Sequence, residues 1–140
     1  NLITMKTIRL LITILPVMAL LLVSCGKNTQ ENVSKSVNNN LIVLVKYKSQ
    51  PSKSKEAVEG LTKLIEAVKT EPNFVNITIH LDPKDDSNIL LYEEWSNESY
   101  YNGAHMKTEH LQKFMEDSRA FLAGPPEISQ WKIEKVFNAK

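Results

Sequence analysis

Phe74-Val-Asn-Ile-Thr-Ile-His-Leu-Asp-Pro-Lys-Asp-Asp-Ser-Asn-Ile-Leu-Leu-Tyr-Glu-Glu-Trp95 is the stretch whose reading decides the fold. From Phe74 to Leu81 the pattern alternates. Val75, Ile77, Ile79 and Leu81 fall on one face and Phe74, Asn76, Thr78 and His80 on the other, the period of a strand. Asp82 to Ser87 is rich in turn formers. Ile89 to Trp95 predicts the return strand of a hairpin, with Leu90, Tyr92 and Glu94 on one face and Ile89, Leu91, Glu93 and Trp95 on the other.

Working outward, Leu41-Ile-Val-Leu-Val-Lys-Tyr47 is an apolar, β-branched run of strand length. Ser49 to Ser52 is a breaker and helix-start cluster. Ala57, Val58, Leu61, Leu64, Ile65 and Val68 then recur at helical spacing, and Glu71-Pro72-Asn73 stops that helix. Beyond the hairpin, Asn97 to His105 reads as a short, poor helix broken at Gly103. Thr108 is positioned to cap a better helix. Its buried stripe would be Leu111, Phe114, Met115, Ser118, Phe121 and Leu122. Gly124-Pro125-Pro126 ends it, and Ile128 to Phe137 is a last strand. The order β-α-β-β-α-β is the ferredoxin-like arrangement of an α+β domain, an antiparallel sheet with both helices on one face. Neither face of the third strand is made for water, so a second subunit is expected to cover the open face and form a homodimer.

The chain has 140 residues, and not all of them suit a folded domain. Lys6 and Arg9 precede an apolar run from Leu10 to Val23, of signal-peptide length and too short for an ordinary spanning helix. Leu22-Val23-Ser24-Cys25 follows, which looks like a lipobox. Residues 1–24 are therefore read as a signal peptide, with Asn1 to Thr4 a start-site artefact ahead of Met5. Cys25 is the only cysteine. A buried free thiol is the alternative, but its place behind a small residue at the end of the apolar run points to lipidation. Residues 26–40 are polar, and 25–40 are read as a lipidated flexible tether. Residues 41–140 form the domain. The expected location is the cell envelope, lipid-anchored to a membrane outside the cytoplasm. Gly26 lacks the aspartate that retains lipoproteins at an inner membrane, which favours the outer membrane where there is one.

Removing Lys6 and Arg9 from the 17 basic side chains leaves 15 against 16 acidic ones. That balance supplies no basic field for nucleic acid and no polybasic membrane patch. With Cys25 acylated, no thiol remains for a disulfide or a nucleophile.

The segment Leu91-Tyr-Glu-Glu-Trp-Ser-Asn-Glu-Ser-Tyr-Tyr-Asn-Gly-Ala-His-Met-Lys-Thr-Glu-His-Leu-Gln-Lys-Phe114 resembles the antibiotic biosynthesis monooxygenase (ABM) family, in particular its quinol monooxygenases. Glu93, Trp95, His105, Thr108, His110 and Phe114 fall on the family pattern, as does the exit from Gly124 to Ile128. The family often has glycine just before strand two. This chain has Asn73, which also tolerates a left-handed backbone. The resemblance implies a dimeric α/β barrel. For some members it also implies oxygenation of an electron-rich aromatic by O2 without metal or flavin, through a base, a dry aromatic pocket and donors for the developing oxyanion.

Among the candidate catalytic residues, His105 is the first choice of base, because an imidazole titrates near neutrality. The bland alternatives are a helix-end or a core histidine. His110 is second. Five residues apart, the two histidines sit about 140° around an ideal helix and converge only if the helix breaks at Lys107-Thr108. That spacing is poor for a zinc pair, so no metal is expected, and the resemblance implies that no other cofactor is needed. Glu93 lies on an otherwise apolar strand face, either buried and functional or paired across a dimer. Tyr92, Trp95, Tyr101, Met106 and Phe114 are candidates for lining a substrate pocket, with core packing as the alternative for each aromatic. Haem-degrading relatives carry an asparagine on strand one, which Leu41 to Tyr47 lacks. The resulting expectation is a quinol-type monooxygenase. The alternatives are a non-catalytic small-ligand-binding domain and an isomerase of a small enolisable carbonyl compound.

Overall fold

A computed structural model describes residues 39–139. The stretch read as a signal peptide, Cys25 and most of the segment read as a tether lie outside the described residues. Within them the elements are β1 (Leu41–Lys48), α1 (Ser54–Val68), β2 (Phe74–Leu81), β3 (Asn88–Trp95), α2 (Glu98–Asn102), α3 (Glu109–Asp117) and β4 (Glu127–Lys132). The strands form one antiparallel sheet in the order β2-β3-β1-β4. This is the expected ferredoxin-like α+β arrangement, with β2 and β3 paired as a hairpin.

Burial explains why these segments form these elements. Along β3 every second residue is buried, so Ile89, Leu91, Glu93 and Trp95 face the core. Leu41, Val43 and Val45 of β1 share that face, and Ala57, Leu61, Leu64 and Val68 of α1 pack on it. Burying one such aliphatic side chain contributes roughly 1.5–3 kcal/mol. From α3 and the turn after it come Phe114 and Leu122. Among the described residues no helix is long and apolar enough to cross a membrane.

Four readings need correction. Phe74 does not face away from the core. An irregularity between Phe74 and Asn76 leaves Val75 as an extra residue, as a bulge does. That turns Phe74 inward, where its ring meets Trp95 edge-on at 6.1 Å. Met115, expected in the buried stripe of α3, is 44% exposed. The last strand stops at Lys132 rather than Phe137, because β1 has no residue beyond Leu41 to pair with it. Finally, Thr108 stands at the N-cap of α3 without capping it. Its hydroxyl donates back to the carbonyl of His105. Asn73 takes the left-handed conformation its position demands, with φ of 69°.

Candidate functional site

The site lies where the chain leaves β3. Asn97 caps α2 by accepting a hydrogen bond from the backbone of Tyr100, and α2 ends at Asn102. His105 to Lys107 form a single tight 3-10 turn, and Thr108 is extended. The chain therefore breaks between the two histidines, which frees them from ideal helical spacing.

They converge on Glu71. Its carboxylate is almost fully buried, with a side-chain exposure of 4%. His105 donates from Nδ1 to Glu71 Oε2 at 2.9 Å. His110 Nε2 contacts Oε1. The hydroxyl of Tyr100 donates to Oε2 at 3.2 Å. An ionised carboxylate can only accept, so a neutral His105 paired with it carries its hydrogen on Nδ1 and keeps its lone pair on Nε2. Nε2 has no hydrogen-bond partner among the described residues, and His105 lines a cavity. The ring is held by Tyr101, stacked on it at 5.1 Å and 19°, and by Trp95 at 4.6 Å. A carboxylate that fixes the tautomer and orientation of a histidine is the arrangement used to prepare general bases.

The cavity has a volume of about 550 Å³ and lies between the sheet and the helices. Val45, Leu64, Val68, Leu91 and Leu111 make most of its wall apolar, and Tyr47, Glu93, Tyr101 and His105 supply polar groups. Glu93 is buried and accepts a hydrogen bond from Trp95 Nε1 at 3.0 Å. Burial pushes its carboxyl up to about 7. The Trp95 hydrogen bond opposes that rise, and the charge of Glu71 adds to it. A carboxyl poised near neutrality can give or take a proton during a reaction.

Of the residues singled out from sequence, Glu93, Tyr101, His105, Met106 and Phe114 line this cavity. His110 does not, and its contact is with Glu71. Trp95 is fully buried behind His105 and anchors Glu93 rather than lining the wall. Tyr92 is on the wrong face. It pairs with Leu44 of β1 and Thr78 of β2 on the side of the sheet away from the helices, because successive strand residues alternate. Cys25 lies outside the described residues. Glu71, which the sequence marks only as part of a helix stop, is the site residue that sequence reasoning misses. One signal pointed to it: acidic side chains are disfavoured beside a helix C-terminus, and Glu71 follows α1 by three residues. Among the described residues no group of three or more His, Cys, Asp or Glu side chains is arranged to hold a metal ion.

A ferredoxin-like α+β domain with a carboxylate-oriented histidine facing an apolar cavity defines the class. The family follows from the sequence match: residues 40–117 match the antibiotic biosynthesis monooxygenase model, and the chain belongs to that family. No curated protein sequence matches it. Solved structures share the fold at low identity. A Pseudomonas aeruginosa protein is 19% identical with a TM-score of 0.63, covering 72% of this chain and 100% of that one. A conserved Methanosarcina mazei protein is 19% identical with a TM-score of 0.62, covering 69% and 94%. An antibiotic biosynthesis monooxygenase is 19% identical with a TM-score of 0.61, covering 68% and 99%.

Proposed function

We propose that the domain is a cofactor-independent monooxygenase that oxidises a quinol-like or other small electron-rich aromatic with O2. One observation carries the reading: His105 is tied through Nδ1 to Glu71 and lines an apolar cavity that Glu93 also lines.

The chemistry balances with these groups alone. A phenolic proton passes to His105 Nε2. The anion gives one electron to O2, and the two radicals join in a carbon–oxygen bond. The resulting peroxide takes up a proton, the ring hydrogen on that carbon leaves as a proton, and the O–O bond breaks with loss of water. The net change is quinol plus O2 to hydroxyquinone plus water. Glu93, neutral below about pH 7, is the proton source for the departing oxygen. The apolar wall keeps the radical pair from water.

Oxidation of a dihydroxyaromatic under isotopically labelled O2 tests this. One labelled oxygen should enter the product. Turnover with no label in the product and no oxygen uptake would instead favour the isomerase reading, which the presence of two proton-handling groups in one cavity also supports.

The proposal extends to assembly and location. Leu44, Leu90 and Tyr92 are half-buried on the open face, and Trp131 there is 57% exposed. A second copy covering that face is the proposed homodimer. Acylation of Cys25, proposed from the lipobox, would hold the domain at a membrane. Mass spectrometry of the mature N-terminus checks it, and an unmodified Cys25 would refute it.

A further inference from the structure

Two tyrosines that line the cavity are left unused by the assignment of base and acid. Tyr47 projects from the core face of β1, opposite Ile89 in the sheet register, and its ring is held edge-on against Phe114 at 6.2 Å and 86°. Tyr101, 4% exposed, enters from α2 with its ring stacked on His105. Both side chains line the cavity. Neither hydroxyl has a hydrogen-bond partner among the described residues. Neither is sealed off, since Ser49 Oγ is the one enclosed side-chain polar atom without a partner among them. A hydroxyl on a fixed ring in an apolar wall, reachable and without a protein partner, is free to donate its hydrogen to whatever enters the cavity.

We propose that Tyr47 and Tyr101 form a paired donor site for the charged oxygen of a phenolate or enolate ligand, with Tyr47 selecting ligands that present that oxygen toward β1. This rests on reading the cavity as a ligand site, and it extends that reading to a residue on the first strand. Burial first, and the neighbouring Glu93 charge second, hold both phenols well above their ordinary range, so both remain donors. Tyr101 is raised further by Tyr47. The acidic group beside them, Glu93, is largely neutral below about pH 7 and then does not repel an anion. Donors aimed at a developing oxyanion in a water-poor site bind the anion in preference to the neutral phenol.

The test uses p-nitrophenol, whose neutral and ionised forms absorb differently, titrated into the purified protein at a pH just below the probe's own pKa. Wild type should bind it and raise the phenolate absorbance. Tyr47→Phe and Tyr101→Phe, which keep the rings, should each weaken binding by roughly tenfold or more and reduce the phenolate signal. Tyr92→Phe, on the other face of the sheet, should change neither. Unchanged affinity in Tyr47→Phe, binding of the neutral phenol alone, or no binding by wild type would each overturn the inference. Oxygen uptake with a quinol is read separately. A protein that binds the phenolate through both tyrosines yet consumes no oxygen would remove the proposed reaction and leave this site standing.

Discussion

His105 Nδ1 lies 2.9 Å from Glu71 Oε2, although 34 residues separate them in the chain. Glu71 also receives Tyr100 and His110, so one buried carboxylate fixes three side chains of the segment after β3. Removing a buried, multiply bonded partner leaves the others unsatisfied, at a cost of about 1–3 kcal/mol for each group affected. Glu71→Ala should therefore lower stability by roughly 3 kcal/mol or more, read by urea denaturation. A loss below about 0.5 kcal/mol, the usual range of a surface substitution, would mean that the network contributes little.

Glu93 gives the stability a pH dependence whose sign is fixed. Its carboxyl is raised from 4.5 to about 7 in the folded state, chiefly by burial. Between those values the folded protein holds more protons than the unfolded chain, so this group's contribution falls as pH rises through that window. Glu93→Gln should melt higher than wild type at pH 8. The difference should shrink as pH falls from about 7 toward 4.5. A difference in Tm that does not vary with pH would contradict the assignment.

Gly60 separates helix propensity from packing. It lies within α1, where alanine is intrinsically better by about 1 kcal/mol. A Cβ there would stand 2.5 Å from the ring tip of Phe121, and overpacking of this kind typically costs 1–3 kcal/mol. Gly60→Ala should be destabilising, and adding Phe121→Leu should recover much of the loss. If Gly60→Ala alone stabilises the protein, the Phe121 ring moves aside freely.

The open sheet face predicts assembly. Residues 39–140 should sediment as a dimer at micromolar concentration, burying roughly 1,600 Å² or more in total. Trp131→Glu should shift it toward monomer. A monomeric wild type would show that the half-buried Leu44, Leu90 and Tyr92 tolerate water.

The strand alternation of Ile89 to Trp95 and the helical stripe from Ala57 to Val68 could be read directly, because burial on one face leaves a period in the sequence. The inward turn of Phe74 could not, since one extra residue in a strand reverses every face before it without changing composition. The histidines were legible as residue types, and their convergence was legible as a condition, a break near Thr108. Glu71 was legible only as an acid oddly placed beside a helix end, not as a site residue. A glutamate before a proline is ordinary punctuation, and only packing of the segment after β3 over the end of α1 makes it the centre of a network. Tyr47 was equally silent, one aromatic at the end of an apolar strand.

Oxygen uptake with a panel of dihydroxyaromatics tests the central claim most directly. It would be measured on purified protein without added metal or flavin, against buffer and against His105→Ala. The account predicts uptake by wild type well above the spontaneous rate for at least one quinol. It also predicts a fall of roughly 10²-fold or more in His105→Ala, the usual contribution of a positioned base. Wild-type uptake equal to buffer across the whole panel would contradict it.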